Sequence, residues 1–588
     1  ARFSLFPPTT EGAMQWTTSL PVTRPHTVAQ LLSHALGELN RLRLRPEIRY
    51  AVLEVLRPRL DVALASLTRR FLNQPLVMPR EPQGIADLAD QLLNLVGTGY
   101  TIVAVEAIEQ RDAIRDMNPA RLACQAIQRG LFYHGRRTLQ AFQLYRPLPM
   151  HGWQVLHHLY ALAEDQGLSH LPVPEPLAGG ETIKSTYLQV VMLGCSKPNQ
   201  LRQGELATVY AALRSWADHV DLGRTDAGAG LFIIDLDSDQ PPIYSALYPD
   251  DSAPRPSCRY INTAALIELL YQRKAASAAK RTGDGVPEHL IDHLITSLGN
   301  MSVRNFQRVH SEAPLRVCLG LSGTHYHVAG QREFQSLLRG SPYLPEGAPH
   351  LAQNPFMQEQ HKTDAWSEAN PHTDFLRNEW LPGQGASADA EHRLELDEKT
   401  RETLLEEVDV QLPVDQRYPV LEVKLADASP GGYCLEWTED LAGEIRAGDI
   451  VGLMEEQSRD WSIAVIRWLS RLEHARTLVG LELLSPRANA YGAVLQNQEG
   501  QESEPLRALL LPEIKLVGQA PTLVVPRASF RERQKLNLVN GEDLQTVRLE
   551  RQVSATASYV QFEFRYIQEL GDVLMRERLP YDSLWSNI

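Results

Sequence analysis

Between two apolar runs the chain reads LADASPGGYCLEW at 425–437, and within it Asp427, Ser429 and Gly432 form the spacing D-x-S-x-x-G. A carboxylate accepts hydrogen bonds from N–H donors. A hydroxyl donates or accepts one, and a glycine admits a close neighbour where a Cβ would clash. Far upstream, SVRNFQRVHSEAPLRVCLGL carries Arg304 and Arg308 just ahead of another apolar run. Each guanidinium is a planar fork that pairs bidentately with phosphate oxygens or with the O6/N7 edge of guanine, or stacks on a base. R-x-x-x-R alone says little, since it recurs at Arg41/Arg45, Arg467/Arg471 and Arg527/Arg531. The plainer alternatives are a turn capped by Asp and Ser at 427–432 and solvated faces for the arginines.

Patterns for other chemistries are missing. There is no G-x-x-x-x-G-K-[ST], no G-x-G-x-x-G after a strand, no H-E-x-x-H and no G-x-S-x-G. HLIDH puts His289, Asp292 and His293 on nearby turns of one helix, but no partner cluster with ligand-like spacing accompanies it, so no metal site is expected. His325 and His327 alternate within LRVCLGLSGTHYHVAG, which reads as a strand over 315–330. No catalysis is expected.

The elements that must position these residues change character along the chain. Residues 1–224 read as helical, with leucines at helical spacing in TVAQLLSHALGELNRL and the stretches that follow. Trp153, Leu156, Tyr160 and Ala163 share one helix face, a spacing similar to the start of a tetratricopeptide unit; the same text fits a non-repeating bundle. A mixed segment, 225–300, begins with strand, turn, strand in GLFIIDLDSDQPPIYSALY. PRPSCRYINTAALIELLYQRK then passes from loop to helix. Residues 331–412 are polar and rich in Pro and Asn, and read as a long insertion. Strands resume at 418, and alternation with turn spacing predicts a small antiparallel barrel over 301–495. A smaller β domain follows over 496–588, with Asn540-Gly541 as a hairpin turn and Val560, Phe562, Phe564 and Tyr566 on one face.

Composition narrows the class. The chain has 588 residues and a net charge of −14, which argues against a general nucleic-acid or membrane-surface binder. Its five cysteines are scattered with no C-x-x-C, as suits a reducing compartment. ARFSLFPPTTEG lacks the basic and apolar regions of a signal peptide, and no stretch reads as the roughly 18 apolar residues of a membrane span. A cytoplasmic location without membrane insertion is the expectation.

The two motifs together resemble the PilZ family of cyclic di-GMP receptors. In that family an arginine motif at the barrel's entrance and [D/N]-x-S-x-x-G on a following strand wrap the dinucleotide. AGDIVGL, WSIAVIRWL and TLVGLELLSP look like the family's closing strands. One departure stands out: Arg308 and Asp427 lie 119 positions apart, which the insertion explains if it loops out between the first two barrel strands.

The resemblance implies an α+β multidomain protein: a helical N-terminal region, an antiparallel β-barrel interrupted by the insertion, and a C-terminal β domain. It implies that Arg304 and Arg308 contact phosphates and guanine, that Asp427 accepts from guanine N–H donors, that Ser429 donates its hydroxyl or holds the turn, and that Gly432 admits close approach. Arg316 and Arg467 are auxiliary cations, and Arg527 and Arg531 are the rival arginine pair, downstream and out of the family's order. The implied ligand is cyclic di-GMP, with no cofactor. The implied role is a relay to a protein partner through the helical region, in motility, pili, adhesion or biofilm formation. A degenerate PilZ adaptor that binds no nucleotide is the other reading.

Overall fold

The computed structural model describes residues 4–72, 78–173, 181–224, 231–245, 255–278, 286–299, 309–310, 314–343, 417–429, 432–438, 445–455, 458, 460–472, 476–496, 503, 505–513, 519–527 and 530–567. They fall into two compact units, one built from the described residues up to Gly299 and one from nearly all those after it.

The first unit opens with eight α-helices: α1 (Thr10–Ser19), α2 (Pro25–Arg41), α3 (Pro46–Phe71), α4 (Arg80–Glu109), α5 (Pro119–Gln143), α6 (Gly152–Asp165), α7 (Ile183–Cys195) and α8 (Gln203–Trp216). Their starts follow local chemistry. Proline stands at the first turn of α2, α3 and α5, where its missing N–H costs nothing. The Asn118 side chain accepts from the Ala120 and Arg121 amides, and Thr182 with Ser185 closes a capping box on α7. The face predicted on α6 is the buried one, with Trp153, Leu156, Tyr160 and Ala163 all in the core.

α4 is the one described helix whose length and apolar composition would let it cross a membrane, although the sequence shows no unbroken apolar run there. Leu92, Leu93, Val96, Tyr100 and Val103 are buried, and the helix packs between α3 and α5, so its apolar face is spent on the core.

A four-stranded antiparallel sheet of order β1-β4-β2-β3 follows: β1 (Asp221–Gly223), β2 (Phe232–Asp235), β3 (Ile243–Tyr244) and β4 (Cys258–Asn262). β2–turn–β3 is the predicted hairpin. β4 lies where the Pro-flanked text predicts loop; it is a strand because it is sandwiched between β1 and β2, with Ile261 opposite both Leu222 and Phe232. α9 (Ala264–Ala278) and α10 (Glu288–Leu298) complete the unit.

The second unit contains two barrels. The first uses β5 (Val309–His310), β6 (Pro314–Leu319), β7 (Val420–Ser429), β8 (Gly432–Trp437), β9 (Ile450–Glu455), β10 (Ser462–Arg471) and β11 (Thr477–Ser485). The order is β5-β7-β6-β9-β10-β11-β8, and the β7–β8 pairing closes a six-stranded ring. β5 and β6 lie along successive stretches of β7, as two halves of one interrupted strand.

The strand predicted over 315–330 ends at Leu319. Gly320, with φ +72°, turns the chain into helix α11 (Gly320–Val328). An apolar run this short fits either state, and packing against β6 and β9 decides for helix. His325 and His327 therefore do not share a strand face. Each is buried and places Nε2 at 3.0 Å from a carbonyl, of Tyr491 and Tyr418 respectively.

The predicted insertion starts later than 331. α12 (Phe334–Leu338) still belongs to the core through Leu337 and Leu338, and the segment from 344 to 416 lies outside the described residues. Its flanks are pinned: Glu333 pairs with Arg417 at 2.7 Å, and Tyr326 stacks on Tyr418 with centroids 4.6 Å apart.

The second barrel is closed in the order β12-β13-β14-β17-β16-β15, from β12 (Asn489–Gln496), β13 (Leu506–Leu511), β14 (Thr522–Pro526), β15 (Lys535–Asn540), β16 (Asp543–Ala555) and β17 (Tyr559–Tyr566). β12 pairs with β13 and β15, so this barrel begins before the expected boundary at 495. The Asn540-Gly541 turn joins β15 to β16, with Gly541 at φ +61°. Val560, Phe562 and Phe564 line the interior, while Tyr566 at the strand's end is 52% exposed. A separate apolar cluster joins the two barrels, with Ile463 and Val465 of β10, Leu337 and Leu338 of α12, and Val494, Val524 and Tyr559 of the second barrel.

Candidate functional site

Asp427 and Gly432 flank the β7–β8 hairpin, at the end of the ring where β6 begins and β9 finishes. Alternation along β7, counted from the buried Val423 and Leu425, would turn residue 427 into the core. Instead the ladder shifts between Leu425 and Asp427, leaving Ala426 as an extra residue and placing Asp427 opposite Cys434. A β-bulge of this kind re-aims a side chain. Asp427 is only half-buried.

Directly paired antiparallel residues share a sheet face, and so do positions two apart. Asp427 pairs with Cys434, which pairs with Gly480. Ser429 pairs with Gly432, which pairs with Glu482. These positions therefore form one continuous patch on the outer face of β7, β8 and β11. Two glycines and a cysteine make its floor low.

Gly432 is required by the barrel itself. A Cβ there would lie 2.0 Å from the Leu481 carbonyl oxygen, so β8 and β11 approach only because the position is glycine. Gly480 is required by a side chain: a Cβ there would lie 2.0 Å from the Trp468 indole nitrogen, so that ring lies over Gly480. Arg467, next to Trp468 on β10, pairs with Glu482. Burial opposes the Arg467 charge, while Tyr559 and Glu482 favour it, and the balance is upward. Trp468, Gly480 and Glu482 border this patch, and the sequence motifs do not single them out. They stand in IRWL and VGLELL, and alternation there was the available signal.

Arg304 and Arg308 lie outside the described residues. The residue after Arg308 does not: Val309 pairs with Ala428 and His310 with Asp427. β6 then pairs with β7 from Pro314↔Lys424 to Cys318↔Val420, which joins the two halves of the interrupted barrel directly.

The remaining arginines separate. Arg316 is exposed, with its guanidinium 6.0 Å from the Trp461 ring and an N–H 3.7 Å from the Met454 sulfur. Arg527 donates to the Thr556 carbonyl at 3.5 Å, and Thr556 in turn donates to Gly448 just ahead of β9, at the opposite end of the ring from Gly432. Arg531 follows on the second barrel, where its amide donates to Gln534 at 2.7 Å. The downstream pair is thus not brought to the patch. Across the mouth of the ring, the Tyr433 phenol donates to Glu455 at 3.0 Å, and burial together with that carboxylate pushes the phenol up to about 12.

The histidines of α10 are structural. His289 pairs with Glu205 at 2.7 Å, and His293 reaches the Ser196 carbonyl at 2.7 Å. Among the described residues no group of three His, Cys, Asp or Glu could hold a metal ion.

Three family profiles tile the chain. Residues 11–226 match the N-terminal domain of the cyclic-di-GMP receptor FimW, residues 231–490 its middle PilZ domain, and residues 491–567 its C-terminal β-barrel domain. The cyclic-di-GMP receptor FimW of Pseudomonas aeruginosa is 32% identical over 597 aligned residues, which cover 97% of this chain and 95% of that protein. No solved structure matches. Matched along nearly its whole length, the chain belongs to the FimW family of PilZ-domain proteins.

Proposed function

We propose that this chain is a receptor for cyclic di-GMP and that the outer face of β7, β8 and β11 is the floor of its site. Asp427 accepts from guanine N–H donors, and the Ser429 position and the low glycine floor let the ligand lie close to the strands. Arg304 and Arg308 clamp phosphates and guanine from above. Arg467 and the Trp468 ring border the floor on the β10 side, as a cation for phosphate and an aromatic surface for a base.

One observation carries this reading. β5 runs beside Asp427 and Ala428, so the residue after Arg308 enters the barrel at the D-x-S-x-x-G turn, although Arg308 and Asp427 lie 119 positions apart. The Pseudomonas relative, a cyclic-di-GMP receptor, points the same way. The signal then passes to a protein partner through the helical unit, in a reducing compartment that suits five buried cysteines.

Titration calorimetry with cyclic di-GMP on the full chain tests the reading. Saturable heat at micromolar ligand is expected, with loss of at least about tenfold in affinity for the Arg304→Ala, Arg308→Ala double variant. No heat from folded protein at high micromolar ligand leaves the non-binding adaptor instead. An unchanged double variant removes the arginine assignment alone.

A further inference from the structure

Glu482 is an unexpected residue to find beside a site for a dianion. It stands opposite Gly432 in the β8–β11 register, on the same face as Asp427, and its side chain is half exposed. Its partner is Arg467, whose side chain is one-third exposed. An ion pair this open contributes little to folding, so the fold does not depend on it. Arginine keeps its charge at any physiological pH, so Arg467 can change only its partner, not its protonation. The Glu482 backbone lies one strand spacing, ~5 Å, from the hairpin glycine, so its carboxylate adds like charge to this face.

We infer that Glu482 is an affinity-setting positioning residue: it holds the Arg467 guanidinium in the free protein, and an anionic ligand on this face must take that guanidinium from it. This rests on the receptor reading above. Ligand arrival then exchanges one ion pair for another and leaves the Glu482 carboxylate to water, which its half-exposed side chain permits. Glu482 lowers affinity twice, by occupying the cation and by repelling phosphate. A receptor built this way responds at higher ligand concentration than its arginines alone would dictate.

The test is a double-mutant cycle by calorimetry on the full chain with cyclic di-GMP at fixed salt: wild type, Glu482→Gln, Arg467→Ala and the double variant. Glu482→Gln is expected to bind ~3–10-fold more tightly, and Arg467→Ala several-fold more weakly. The gain from Gln should shrink when Arg467 is absent, a coupling that a merely structural role would not produce. Glu482→Ala serves as a second removal of the charge, and thermal melts confirm that each variant is folded. Unchanged or weaker binding by Glu482→Gln, or an equal gain in both backgrounds, overturns the inference while the receptor reading stands. Absence of wild-type binding removes the receptor reading, and this inference with it.

Discussion

Asp427 stands opposite Cys434 across the β7–β8 hairpin because Ala426 is an extra residue in the ladder. That single insertion decides which side of the barrel the carboxylate serves. Without it, the alternation set by Val423 and Leu425 would aim Asp427 at the core, where an unpaired carboxylate costs several kcal/mol.

Removal of this carboxylate should separate binding from folding. Asp427→Ala is expected to lower cyclic di-GMP affinity by about tenfold or more, the cost of about 1.5–3 kcal/mol for lost hydrogen bonds to a charged group. Its melting temperature should stay within about 2 °C of wild type, because the residue is half exposed. Calorimetry and a thermal melt read both quantities. A large drop in melting temperature would mean that Asp427 holds the hairpin rather than the ligand.

The two floor glycines should fail differently. Gly432→Ala pushes a Cβ into the Leu481 carbonyl, which the backbone cannot yield without opening β8 from β11. Destabilisation of about 2–4 kcal/mol is expected, read by urea denaturation. Gly480→Ala meets only the Trp468 ring, which can swing away. It should cost less stability, shift the tryptophan emission and weaken ligand binding. Equal stability losses would contradict this distinction.

Two buried histidines make the fold acid-sensitive. Burial pulls His134 down to about 4, aided by the Arg137 charge, and burial also pulls His325 down to about 4. The unfolded chain takes up these protons near 6.5, the folded chain only near 4. Between those values the unfolded state binds more protons, so stability falls as pH drops through the window. Each site contributes about 3 kcal/mol at most. Urea midpoints measured from pH 7.5 to 4.5 should fall steadily. His325→Gln should flatten that fall, and a flat wild-type profile would refute the argument.

The segment from 344 to 416 should be removable. Its flanks are held by Glu333–Arg417, by Tyr326 on Tyr418 and by the β6–β7 ladder, none of which needs the segment itself. Replacement by a glycine–serine linker of about a dozen residues is expected to leave the barrel folded and to raise its stability by about 1–2 kcal/mol through loop-closure entropy. Circular dichroism and a melt check this. Loss of the β signal would show that the segment carries part of the fold.

Local chemistry was legible in the chain. Helical spacing marked the face of α6 that carries Trp153 and Tyr160, and Asn540-Gly541 marked its hairpin. D-x-S-x-x-G marked the β7–β8 turn, and VGLELL marked the strand across from it. These features depend on residues within a few positions of one another, where propensity and turn geometry act directly.

The rest required the folded chain. Val309 meets Ala428, Trp468 lies over Gly480, and Glu482 faces Gly432 only after the ring closes. The helix at Gly320–Val328 and the strand at Cys258–Asn262 likewise exist because of what packs against them. Such contacts join residues far apart in the chain, and their register is set by burial and by one bulge. A sequence supplies the side chains for that geometry by itself; the tertiary structure decides which of them share a face.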